Sequence, residues 1–180
     1  MWPFGRHEKK SEDPDREQRR RFREATRALD EGREEDGIAA LTELVEDYPE
    51  YVSARVNLGA AHYSAEQYEE AEREFSAALG LKPEDPRILL NLAATKSALD
   101  ELDDAIDLLI RALEIDPEFR DVHYNLAIAY WRKGRIPEAM AELEMELALH
   151  PDNEPARQTM EMLKEEAGMN DEEIAPPSTN

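Results

Sequence analysis

Four prolines, Pro49, Pro83, Pro117 and Pro151, stand 34 residues apart in this 180-residue chain. Other residues keep step with them. Leu58, Leu92 and Leu126 lie 25 positions before their prolines, followed by Gly59, Ala93 and Ala127, with Ala25 in the first copy. Ala71, Ala105 and Ala139 lie 12 before, where the first copy has Gly37. Leu41, Phe75, Leu109 and Leu143 lie 8 before, and Ala78 and Ala112 lie 5 before. A self-similar period of this length means stacked supersecondary units, each unable to bury its apolar faces alone.

Each copy splits into two helical segments. In the third, Arg87–Leu99 and Leu102–Ile115 carry apolar residues at helical spacing, with Asp100 and Glu101 as the turn. Gly32 and Gly134 hold that turn in the first and fourth copies, where positive φ suits glycine. The closing proline cannot continue a helix and ends each second segment. Ala, Leu and Glu dominate and there are only 7 glycines, so the composition favours helix over sheet.

This pattern resembles the tetratricopeptide repeat family. The residues that carry the likeness are those above, with Tyr68 before Ala71 and Tyr130 after Leu126. It covers four copies, 18–51, 52–85, 86–119 and 120–153, and 153–167 reads as a capping helix with Ala156, Met160 and Leu163 on one face. The expected fold is all-α, a solenoid of helix-turn-helix repeats over 14–168. The resemblance implies a right-handed superhelix whose first helices line a concave groove. The first copy departs at Glu24 and Gly37 and reads as a divergent cap. The fourth departs at Glu146, where a small residue is expected, predicting looser packing against the capping segment.

Helical geometry places a stripe on each first helix beside its core leucine. The stripe holds Phe22 and Arg23 in the first copy, Val56, Asn57 and Tyr63 in the second, Arg87 and Asn91 in the third, and Asp121, Tyr124, Asn125, Trp131 and Arg132 in the fourth. Asn57, Asn91 and Asn125 form a row. An amide both donates and accepts, so such a row can hold an extended peptide backbone without reading its side chains. The alternative is that these asparagines cap or bridge helices. Arg23, Arg87 and Arg132, with Arg19, make the stripe mildly positive, which predicts a neutral or acidic protein or peptide partner. Phe22, Tyr63, Tyr124 and Trp131 are the candidate apolar anchors. Ordinary helix packing is the alternative for the aromatics, and the pattern does not choose for Tyr63 or Tyr124. The stripe matches only fragments of the carboxylate clamp that reads chaperone C-termini, so no chaperone tail is expected.

Acids outnumber bases 43 to 22, for a net charge of -21, which argues against nucleic acid or anionic membrane as the main partner. Nine of the bases fall in residues 1–27, beside six acids, leaving 13 bases and 37 acids in residues 28–180. Residues 1–13 are expected to form a disordered basic tail and 169–180 a disordered acidic one. Trp2 and Phe4, with Arg6, Lys9 and Lys10, could give a weak membrane-surface contact. Neither a secretory signal nor an apolar run of ~20 residues occurs, so a cytoplasmic chain is expected.

Without cysteine there is no thiolate chemistry and no disulfide. His7, His62, His123 and His150 show no metal-site spacing, and no phosphate loop, dinucleotide fingerprint or nucleophile elbow occurs. No metal and no cofactor is expected. The reading is a non-enzymatic scaffold that binds a peptide or partner helix. The alternative is a tetratricopeptide chaperone for secreted proteins, dimerised through residues 14–31. An enzyme or metal protein is the remaining class.

Overall fold

The computed structural model describes residues 14–168. The expected tails, and with them the Trp2 and Phe4 surface contact, lie outside the described residues. Nine helices and no strand occur among the described residues: α1 (Pro14–Asp30), α2 (Glu34–Asp47), α3 (Val52–Ser64), α4 (Tyr68–Leu81), α5 (Pro86–Ala98), α6 (Leu102–Ile115), α7 (Val122–Arg132), α8 (Ile136–Leu149) and α9 (Glu154–Glu166).

The 34-residue period is visible at every helix end. α2, α4, α6 and α8 each stop two residues before a periodic proline. The residue between leaves the helical basin, with φ -132 at Tyr48, -139 at Asp116 and -130 at His150, because a following proline disfavours that basin. The turn inside each copy has positive φ: Gly32 at 76, Glu66 at 58, Asp100 at 65 and Gly134 at 71. Glycine fills it twice; geometry imposes it on Glu66 and Asp100.

The chain divides into two compact units, with the boundary after Glu74 inside α4. In the first unit, α1, α2 and α3 pack around Ala25, Leu41, Leu44, Val45, Ala54 and Leu58, all buried. Gly37 sits where later copies have alanine because Leu29 presses on it: a Cβ there would lie 2.4 Å from Leu29 Cδ2. Arg55 ties α3 to α4 through Glu74 at 2.8 Å.

In the second unit, α5, α6 and α7 enclose Leu89, Ala93, Ala105, Leu109, Ala112, Val122 and Leu126. A second cluster, Ala127, Ala139, Leu143, Ala156, Met160 and Leu163, joins α7, α8 and α9. Each fully buried leucine contributes roughly 1.5–3 kcal/mol. α9 is capped by Asn153, whose side chain accepts from Ala156 N at 3.2 Å, and its Leu163 has no exposed surface.

Candidate functional site

The open faces of the first helices hold the sequence-predicted residues. In the first unit Phe22 is half-buried and meets Tyr51 edge-on, with centroids 5.3 Å apart. Arg23 is exposed. Burial raises the Tyr51 phenol pKa, and Arg19 and Arg23 oppose that rise. Tyr63 is 37% exposed and stands edge-on to Tyr68 at 5.4 Å. Val56, also on the predicted stripe, is buried and belongs to the core. Asn57 donates Nδ2 to Ser53 O at 2.8 Å. It lines a shallow cleft of about 320 Å³ with Leu29, Gly32, Ala60 and Ser64.

In the second unit Asn91 and Asn125 are half-buried on α5 and α7. Asn125 repeats the geometry of Asn57, donating Nδ2 to Asp121 O four residues back at 2.8 Å. Tyr124 and Trp131 pack against the α7–α8–α9 cluster, and Trp131 Nε1 donates to Glu166 at 3.1 Å. Arg132 donates to Ser97 Oγ at 2.9 Å, to the Ser97 carbonyl, and to Asp100 at 2.8 Å. Arg87 stands 3.5 Å from Asp85 and lines a cleft of about 760 Å³ with Pro83, Pro86 and Phe119. The positive charge expected here from Arg87 and Arg132 is therefore matched by neighbouring acids.

The three histidines among the described residues are engaged in pairwise contacts. His62 Nδ1 lies 2.6 Å from Gln67 Oε1, His123 Nδ1 lies 2.7 Å from Glu142, and His150 Nε2 lies 3.2 Å from Glu118 O. Contact with Glu142 raises the His123 pKa, against the lowering effect of burial. Among the described residues no group of three His, Asp or Glu side chains could hold a metal ion. No helix among them is long and apolar enough to cross a membrane.

Sequence reasoning flagged Glu146 but not its surroundings. It has no exposed surface. Its Oε1 accepts from Asn153 Nδ2 at 2.8 Å and, more weakly, from Asp121 N at 3.4 Å. Its Oε2 is buried without a hydrogen-bond partner. Tyr51 was also missed; it follows a periodic proline, outside both helical patterns.

Helix hairpins repeated at a fixed length, with recurring small and large core positions, define a repeat scaffold. Tetratricopeptide repeat profiles match residues 22–86, 62–112 and 97–163. The chain belongs to the tetratricopeptide repeat family, whose repeats are protein-interaction modules. It is 31% identical to the small glutamine-rich tetratricopeptide repeat-containing protein 2 of Mycosarcoma maydis, over 57% of this chain and 29% of that protein. It is 28% identical to the peroxisomal targeting signal receptor of Candida albicans, over 53% of this chain and 16% of that one. The chain thus spans less than a third of either relative. The crystal structure of MamA superposes with a TM-score of 0.74 at 22% identity, covering 82% of this chain and 86% of that one.

Proposed function

We propose that the chain is a non-enzymatic scaffold whose first helices hold an extended peptide or a partner's helix. The observation that carries this is the recurrence of one half-buried asparagine on each of α3, α5 and α7. Asn57 and Asn125 each spend one amide hydrogen on a carbonyl four residues back. That bond fixes the side-chain rotamer and leaves the amide oxygen and second hydrogen for a ligand backbone. Phe22, Tyr63, Tyr124 and Trp131 supply apolar surface, and Arg23, Arg87 and Arg132 supply donors. The peroxisomal targeting signal receptor among the relatives is by its name a receptor for a targeting signal, which agrees with peptide capture.

The test is capture of partners from the protein's own cells by wild type and by the Asn57→Ala, Asn91→Ala, Asn125→Ala variant, with helicity checked by circular dichroism. Loss of captured partners at unchanged helicity supports the reading. Full capture by the variant refutes it.

A further inference from the structure

The described residues include 15 arginines, and ten of them form carboxylate ion pairs. Four of the remaining five share one exposed face of α1: Arg16, Arg19, Arg23 and Arg27. Their offsets of 0, 3, 7 and 11 keep them on one stripe, about 16 Å long at 1.5 Å per residue. Of the nearest acids on α1, Glu17 and Glu24 share Arg20, at 2.6 and 2.8 Å, which leaves one negative charge against the four arginines. Asp15 and Asp30 bound the stripe at its two ends.

The arrangement is locally unfavourable. Arg19 with Arg23, and Arg23 with Arg27, are like charges four residues apart, and such pairs destabilise a helix. An acid at position 23 would have stood four residues from both Arg19 and Arg27 and stabilised α1, in a chain that carries 43 acids. Beside the stripe stands the Phe22–Tyr51 pair, and both Arg19 and Arg23 act electrostatically on Tyr51.

We propose that this face docks an acidic helix of a partner protein, with carboxylates at matching offsets of 0, 3, 7 and 11 and an apolar side chain beside them for Phe22 and Tyr51. A narrow helix is favoured over a wide anionic surface. Charges beyond about 8–10 Å are screened, so one helix meets the arginines alone. A membrane or a nucleic acid also meets the rest of a chain of net charge -21. A second copy docking α1 against α1 would oppose two arginine stripes, which disfavours the secretion-chaperone dimer through residues 14–31.

The face shares Arg19 and Arg23 with the asparagine stripe, so the test uses Arg16 and Arg27. The probe is a synthetic helical peptide with glutamates at offsets 0, 3, 7 and 11 and a leucine beside them, titrated calorimetrically into the full chain. The control has the same composition with the spacing scrambled. Arg16→Glu/Arg27→Glu should weaken the spaced peptide roughly tenfold or more, with helicity by circular dichroism retained. The triple asparagine variant should bind the peptide as wild type does. Equal affinity for the scrambled peptide, or no loss in the double variant, overturns the proposal. So does tighter binding to vesicles of equal parts phosphatidylserine and phosphatidylcholine, or to an oligonucleotide. Loss of the peptide in the asparagine variant alone would place it in the groove and remove the stripe's role.

Discussion

Asn153 donates its side-chain amide to the buried carboxylate of Glu146 at 2.8 Å, and to Asp121 Oδ1 at 3.0 Å. The earlier copies place Leu44, Ala78 and Ala112 where Glu146 stands. Unlike those apolar side chains, the Glu146 carboxylate reaches the Asp121 N–H ahead of α7, at 3.4 Å. α7 starts at Val122 and runs 11 residues, where α3 and α5 run 13. Asp121 takes φ 67 and turns its N–H toward the carboxylate. Asn153 caps α9 while holding Glu146. Burying a carboxylate with one oxygen unsatisfied costs free energy that its hydrogen bonds only partly offset. Glu146→Leu, the first copy's residue and similar in volume, should raise stability by about 1–2 kcal/mol, read as a higher urea midpoint. A lower midpoint would show that the polar network holds α7 and α9 together.

The helix ends were legible because each rests on a local rule. Pro49, Pro83, Pro117 and Pro151 stop helices wherever they fall, and Gly32 and Gly134 mark the turns. Asp100 adopts that turn conformation without its residue type and was legible by register alone, while Glu66, which also adopts it, was not singled out. The late start of α7, with Asp121 at positive φ, was not legible, and the carboxylate that meets the Asp121 N–H lies 25 residues downstream. The same holds for the charge balance of the stripe. Arg132 meets Ser97 and Asp100 across more than 30 residues of chain, a pairing that helical spacing within one segment does not reveal. Trp131 was legible as an aromatic on the stripe, but its contact with Glu166 of α9 depended on how the cap seats.

Stability should depend on pH through His123. Its pKa is raised, first by the contact with Glu142 and then by the fields of Glu142 and Glu146, with burial opposing. A raised folded pKa contributes stability that is fully present below the ordinary value of about 6.5 and is lost as pH rises through the folded value. The urea midpoint should therefore fall on going from about pH 6 to about pH 8. Glu142→Gln should flatten that dependence. NMR titration of the imidazole should place its midpoint above that of a model peptide; a midpoint at or below it would remove the effect.

Glu66 offers a stabilising substitution. It sits at φ 58, strained for an L-residue, and the same turn holds glycine in the first and fourth copies. Glu66→Gly should stabilise the protein by about 0.5–1 kcal/mol, the relief of left-handed strain exceeding the added flexibility of the unfolded chain. Gly32→Ala should do the reverse by a similar amount. Asp100→Gly is a poorer probe, since Asp100 also binds Arg132. Unchanged thermal unfolding of the Glu66 variant would show that its side chain compensates the strain.

Trp131 separates packing from ligand binding. Its ring lies half-buried against the cluster of Ala127, Ala139, Leu143 and Leu163, and its indole N–H reaches Glu166 of α9. Trp131→Ala removes that contact area and should cost about 2–3 kcal/mol, less than for a fully enclosed tryptophan. The loss should concentrate at the C-terminal cap, so amide hydrogen exchange should accelerate in α9 more than in α5 or α6. Trp131→Phe keeps most of the apolar face and gives up only the hydrogen bond to Glu166, so α9 protection should largely return. If the ring also anchors a ligand, the phenylalanine variant should retain most partner affinity, since the anchor is the aromatic face and not the N–H. Unaltered α9 exchange in Trp131→Ala would mean that the ring does not hold the cap, and would assign it to the open face alone.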